Sequence, residues 1–517
     1  MVYCGVPSKG CASCRAKRTK CDQAAPSCGQ CRRARRICPG YRDEQSLAFR
    51  DETKTVVLKA QAAKALRGSK PPYATELVED FNSSNHTSGT LVSINQVTAN
   101  NQNIPRSFFV PIEQQGSYYF FHHFVCEDPA SSIGYGRYLP QIYNLTSSNG
   151  ELPGIIQAIG MAGLSNMQMS QEPMMVARRK HIAVLRALNS SLQDPKTATT
   201  DATFMTVMLL GLYETITGST PQSLKSWANH IHGAIAIMRM RGREQLQTVV
   251  GRHIFAYLRN QIVIDCFQRS AVIPPEVIEW SEYALQLETD IGSRRELAIF
   301  PIITRLCTLR CVIAKDTNND PAVLTIARGI DADLVEWADR FPTWLRYTTE
   351  LSNDIENVLS GYYHVYPNVW VVGGWNLYRC ARILTHEVIE RWLSRNLTYD
   401  MAQLRQSEAV LSKLNADICA SVPCVFGQVD VNGLQTGYSY SPRAATGTWI
   451  LWPLYLAATM DTATPTTRAW VINQLDKVGR TMGIQQAISL AAVLRAQKEI
   501  TAWDRFGSGV DEQVDKW

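Results

Sequence analysis

Residues 11–38 read CASCRAKRTKCDQAAPSCGQCRRARRIC, with cysteines at 11, 14, 21, 28, 31 and 38. The spacing C-x2-C-x6-C occurs twice, the second copy displaced by 17 residues, so the stretch is an internal repeat. Two tetrahedral Zn²⁺ ions need eight ligand positions, and six thiolates fill them only if two sulfurs bridge both metals. Cys11 and Cys28, the first cysteine of each copy, are the natural bridges. One ion then takes Cys14 and Cys21, the other Cys31 and Cys38, and two Zn²⁺ per chain replace a hydrophobic core.

Other readings of the cysteines fit less well. A disulfide knot suits a secreted mini-domain, but the opening MVYCGVPSKG has no apolar run of the kind a signal peptide carries. Separate four-cysteine fingers would need eight cysteines, and Cys4 reads as a spare thiol. Charge points the same way as spacing. Residues 1–42 hold ten lysines and arginines against Asp22 alone, a formal +9 within a chain whose total is +6. A basic head on a nearly neutral body is the footprint of a polyanion binder. The cations sit between the metal-ligating cysteines, which a merely solvated tail would not require.

These six cysteines, the basic run RAKRTK between the second and third, and Pro26 before the fourth together resemble the fungal Zn2Cys6 binuclear-cluster family of transcription factors. The resemblance implies double-stranded DNA as the partner, with the first-half helix reading bases in the major groove. Lys17 and Arg18 are then base contacts, Lys20 a phosphate contact, and Arg15 projects from the same helix. It implies a CGG triplet as target. Arg32, Arg33, Arg35 and Arg36 in the second half are expected on phosphates, which give affinity without sequence information. The resemblance further implies a nuclear regulator of RNA polymerase II genes, often of one pathway such as a secondary-metabolite cluster.

The rest of the 517 residues is ample for a large core, and 45% hydrophobic residues is a globular composition. No apolar run approaches a bilayer span, so no membrane partner is expected. The seven cysteines at 126, 266, 307, 311, 380, 419 and 424 are scattered, as in a reducing compartment. Residues 44–66 are rich in helix formers but keep no sustained heptad, which leaves a homodimer through this segment open. Residues 68–107 are rich in Ser, Thr, Asn, Pro and Gly and read as a flexible linker.

Beyond the linker, helical periodicity dominates. Ile182, Leu185, Leu188 and Leu192 recur at steps of three and four, and Asp201 is placed to cap a helix through Phe204, Val207, Met208 and Leu212. Further helices are expected near 152–168, 222–241, 252–268, 292–315, 376–395, 401–419, 447–460, 466–480 and 484–498. The phrase DATFMTVMLLGLYE, followed by Trp227, His230 and Gly233, and the later GTWILWPLYLAA are similar to the fungal-specific transcription factor domain that commonly follows such clusters. The expected organisation is mostly α: a DNA-binding head over 1–43, a linker over 44–110 and a large helical regulatory domain over 111–517. In some relatives that domain binds an apolar small molecule, so a ligand-gated sensor is the rival reading.

A search for catalytic chemistry finds little. His386-Glu387 lacks the second histidine of HExxH, and no GxSxG, GxxxxGK[ST] or strand-following GxGxxG is present. Trp227 and His230 share a helical face with Gly233, and a packed core is the expected setting. Cys307 and Cys311, four residues apart among apolar neighbours, read as core rather than as a redox pair. The closing WDRFGSGVDEQVDKW mixes acids with aromatics, which suits recruitment of transcription machinery as well as a frayed terminus. The expectation is a non-enzymatic, zinc-dependent DNA-binding regulator.

Overall fold

A computed structural model describes residues 10–17, 19–24, 26–36, 38–39, 110–125, 138–147, 150–219, 221–289, 294, 297–315, 320–352, 358–395, 401–434 and 443–496. The chain separates into two compact units, Met1–Asn103 and Ile104–Trp517. In the first, two short helices, α1 (Ala12–Ala16) and α2 (Gly29–Arg33), flank a core made of sulfur, with Cys11, Cys14, Cys28 and Cys31 buried. The helix-former-rich stretch 44–66, the linker over 68–107 and the acidic–aromatic tail lie outside the described residues.

Among its described residues the second unit is mostly helical. It opens with α3 (Ile112–Phe124), α4 (Tyr138–Asn144), α5 (Glu151–Gln168), α6 (Gln171–Gln193) and the short α7 (Pro195–Ala198). Next come α8 (Asp201–Thr217), α9 (Pro221–Arg241), α10 (Val249–Arg269), α11 (Pro275–Leu287), α12 (Phe300–Lys315) and α13 (Pro321–Asp339). An antiparallel hairpin of β1 (Thr348–Leu351) and β2 (Tyr362–Val365) interrupts them. The unit closes with α14 (Val369–Arg395), α15 (Met401–Ala420), α16 (Val422–Val425), α17 (Ala444–Thr459), α18 (Pro465–Met482) and α19 (Gln485–Arg495).

Burial explains which helices sit at the centre. In α8 every residue from Thr203 to Tyr213 is buried, and α17 buries most of its length, so both are apolar all round and act as core helices. α5 packs against α3, α6 and α8. It crosses α3 at a pair of glycines, where a Cβ on Gly160 would fall 1.8 Å from the Gly116 carbonyl oxygen, so only glycine permits this approach. The Asn166 amide ties the layers by donating to the carbonyls of Ile216 at 2.9 Å and Gly483 at 2.7 Å. Among the described residues no helix is long and apolar enough to cross a membrane.

Two sequence expectations shift. The cap of α8 is Thr200, whose hydroxyl accepts from the Thr203 amide at 3.2 Å. Asp201 is the first helical residue, and its carboxylate meets Arg241 at 2.5 Å. In α6 only Leu188 of the expected set is buried. Ile182, Leu185 and Leu192 are 50%, 39% and 39% exposed, and the buried face runs through Ala177 and Val184 instead.

A buried polar cluster joins the hairpin to the helices behind it. Arg379 of α14 is 1% exposed. It donates to Tyr366 Oη and Asn376 Oδ1, both at 2.8 Å, and lies 3.2 Å from His364 Nδ1. The other nitrogen of His364 is 3.6 Å from Asp417 of α15. Burial, with the positive charge of Arg379 second, pushes His364 down to about 2, so the ring is neutral.

Candidate metal centre and nucleic-acid interface

The two halves of the small unit are built alike. α1 and α2 occupy the same five positions of the 17-residue repeat. The Cys14 amide donates to the Cys11 sulfur at 3.4 Å, and the Cys31 amide donates to the Cys28 sulfur at 3.3 Å. After each helix, the amides of Thr19 and Arg36 reach back 3.0 Å to the carbonyls of Cys14 and Cys31. The symmetry breaks where the halves meet. Asp22 accepts from the Gly29 amide at 2.9 and 3.0 Å, and a Cβ on residue 29 would lie 2.5 Å from that carboxylate, so glycine stands where the first half has Ala12.

The sulfurs form two groups of four, Cys11, Cys14, Cys21 and Cys28 in one and Cys11, Cys28, Cys31 and Cys38 in the other, each within 4.8 Å. The sequence predicts the same two shared residues. The pairs Cys11–Cys28, Cys11–Cys31 and Cys14–Cys28 are 3.7 Å apart. A zinc–sulfur bond of roughly 2.3 Å gives a tetrahedral edge of about 3.8 Å, so the donor set fits two zinc ions. The Cys14 amide pulls the Cys11 thiol down, but burial and the neighbouring Cys14 and Cys31 thiols outweigh it and raise it to about 12. A divalent cation reverses that balance by stabilising the thiolates.

Around this core Lys17, Lys20, Arg32, Arg33, Arg35 and Arg36 are exposed. Arg18 and the side chain of Arg15 lie outside the described residues. Arg33 folds its Nε back toward the Gly29 carbonyl at 3.4 Å, and Arg35 takes a left-handed backbone at φ 48°. The 17-residue offset pairs Arg15 with Arg32 and Arg18 with Arg35, whereas Lys17 is paired with Ala34. The halves are therefore alike in backbone and unlike in the cations they present.

In the helical unit His386, His123 and Cys307 have structural roles. His386 Nδ1 pairs with Ser407 Oγ at 2.8 Å, while its Nε2 is 3.2 Å from Asp331, which also accepts from Arg382 at 2.7 Å. His123 is buried beside Tyr119, and burial pushes it down to about 4. Cys307 is buried, and burial raises its thiol to about 12, away from a reactive thiolate.

Trp227 and His230 do share a face of α9, but that face lines a cavity of about 180 Å³ rather than packed core, and Gly233 lies on the exposed side. The cavity lies among α8, α9, α10, α14, α17 and α19. Its sequence signal is a half-buried stripe on α10, Tyr257, Asn260, Gln261, Ile264 and Gln268, at helical spacing but of mixed polarity.

Comparison with known proteins agrees with this geometry. The fungal Zn(2)-Cys(6) binuclear cluster domain matches residues 9–47, and the fungal specific transcription factor domain matches residues 120–494. Both are transcription-factor domains rather than enzymes. An uncharacterized protein of Emericella nidulans is 23% identical over 227 residues, 41% of this chain and 48% of that protein, so the match spans about half the relative's length. No solved structure matches the chain. With a binuclear zinc-cluster domain at its head and the second domain matching well over half its length, the chain belongs to the fungal transcription factors that bind DNA through a two-zinc, six-cysteine cluster.

Proposed function

We propose that the protein is a sequence-specific nuclear regulator of RNA polymerase II genes, in which Lys17 and Arg18 read a CGG-type triplet. The observation that carries the reading is a pair of equivalent half-modules whose exposed cations differ, Lys17 against Ala34 at the same repeat position. Equivalent backbones with unequal cations support a division of labour. The first half, with Arg15 and Lys20 beside the readers, gives specificity. Arg32, Arg33, Arg35 and Arg36 of the second half give affinity through phosphates. One zinc ion would be held by Cys14 and Cys21 and the other by Cys31 and Cys38, each completed by Cys11 and Cys28.

Quantitative binding to CGG and mutated duplexes at several salt concentrations tests the assignment. Lys17→Ala and Arg18→Ala should each remove about 1–3 kcal/mol of discrimination. Arg33→Ala should weaken both duplexes alike and lower the salt slope by about one. Loss of the CGG preference on changing the second-half arginines, with the first-half variants unaffected, would reverse the roles of the two repeats.

The large helical domain is proposed as the regulatory part, through which a small-molecule effector, a second copy of the chain or the transcription machinery acts on a pathway-specific set of genes. The cavity beside Trp227 and His230 favours an effector.

A further inference from the structure

We infer that the cavity among α8, α9, α10, α14, α17 and α19 is a binding site for a neutral, planar molecule of one or two aromatic rings bearing oxygen. The inference rests on the effector reading above and names its site and ligand class. Three properties of the wall define the class.

The first is its faces. Trp227, Trp370, Trp449, Trp452 and Tyr257 line the cavity, and the Trp370 and Trp449 rings lie 4.5 Å apart. Four of the chain's 12 tryptophans therefore converge on this one space. Flat indole faces favour flat ligands by offset stacking.

The second is its charge. Among the described residues, no aspartate, glutamate, lysine or arginine lines the cavity. His230, the one titratable imidazole there, is pushed down to about 4 by burial, with His181 adding to the effect, and is neutral. An ionised ligand would lose its hydration with no counter-charge to replace it. The polar groups are instead uncharged donors and acceptors: the carboxamides of Asn260, Gln261, Gln268 and Gln486 and the hydroxyls of Thr215 and Thr448. Within this wall Trp452 Nε1 and Gln268 Oε1 are buried with no hydrogen-bond partner among the described residues. Pro453, also in the wall, has no amide to give the Trp449 carbonyl its i+4 hydrogen bond. A ligand with both an acceptor and a donor oxygen matches this set better than a pure hydrocarbon.

The third is how the space is kept. Gly373 and Gly374 are consecutive inside the 27-residue α14, and a Cβ on either would meet nothing within 4 Å. Two glycines in a helix interior disfavour the helix, yet here they leave volume that any side chain would take. A cavity of roughly 150 Å³ accepts benzene. The 180 Å³ here suits one ring or two.

Calorimetric titration of the full-length, zinc-loaded chain with 7-hydroxycoumarin, below the pH at which its hydroxyl ionises, tests the site, with 2-naphthoate as a charged molecule of similar size. The expected result is saturable one-to-one binding of 7-hydroxycoumarin with quenching of tryptophan fluorescence, and binding of 2-naphthoate at least about tenfold weaker. Gly374→Leu should abolish binding while far-UV circular dichroism and DNA affinity stay at their starting values. Trp452→Phe, which keeps a ring and removes the N–H, should weaken binding by about fivefold. Absence of saturable binding, equal binding of the naphthoate, or binding that survives both substitutions would overturn the assignment. DNA affinity at saturating 7-hydroxycoumarin is read separately. A change supports the effector reading, and unchanged affinity with intact binding refutes that reading while leaving the site standing.

Discussion

Substituting one shared and one unshared cysteine separates the bridged cluster from any arrangement of independent sites. Cys11 and Cys28 belong to both four-sulfur groups, whereas Cys21 belongs to one. Cys28→Ser therefore leaves three sulfurs in each group, while Cys21→Ser leaves three in one and four in the other. A structural zinc contributes roughly 10–16 kcal/mol, so each of four thiolates accounts for about 3 kcal/mol, or about two orders of magnitude in affinity. The full-length chain should hold two zinc ions. Cys21→Ser should keep one at starting affinity and weaken the other by about a hundredfold. Cys28→Ser should weaken both by that factor or more, and its cluster should lose DNA binding first under a zinc-buffering chelator. Competition with a chromophoric chelator, with native mass spectrometry to count ions, measures all three proteins. A Cys28→Ser chain that retains one zinc at starting affinity would refute the shared-sulfur arrangement, because Cys28 would then serve a single ion.

Three further outcomes follow from the helical unit. Asp331 would be raised by burial, but hydrogen bonds from His386 and Arg382 hold its carboxyl down at about 2; its folded value lies below its unfolded one, so it contributes about 2 kcal/mol near neutrality that is lost as pH falls from about 4 toward 2, and urea unfolding of Asp331→Asn across that range should show a flatter acid limb. Arg379→Ala strands the Tyr366, Asn376 and His364 acceptors in a buried site and should cost about 3–5 kcal/mol by urea unfolding, a cost below about 1 kcal/mol meaning that the site had been hydrated. Gly374→Ala places a methyl in open space within a helix and should stabilise the fold by about 0.5–1 kcal/mol, read as a higher thermal midpoint.

How much of this was legible in the sequence depends on how local each signal is. The two four-sulfur groups were legible in the spacing, because C-x2-C-x6-C repeated after 17 residues gives each half three sulfurs, and both groups share Cys11 and Cys28, the first cysteine of each copy. Most helices were legible too: the expected 222–241 and 401–419 stand as Pro221–Arg241 and Met401–Ala420. α13 went unread although Ala327, Ile330, Leu334 and Trp337 mark its buried face at steps of three and four. The hairpin left no such trace, since all four residues of β1 are exposed and show no alternation. Arg379 looks like any surface arginine until β2 and α14 meet around it. The cavity is the least local feature, because helices from three separate stretches of the chain line it and its glycines are defined by what they do not touch.

The relation between the two half-modules has a further consequence. Each repeat supplies three sulfurs, one short of a tetrahedral shell, so neither half can close around an ion by itself. Only the residues from Asp22 to Ser27 join Cys21 to Cys28. That link acts as a tether: it presents each half to the other at an effective concentration of about the millimolar range, whatever the amount of protein in the cell. Cutting the chain within it would turn cluster formation into a bimolecular event, dependent on protein concentration. The intact link makes it independent of dilution, so the DNA-binding head stays assembled at any protein concentration at which zinc is supplied.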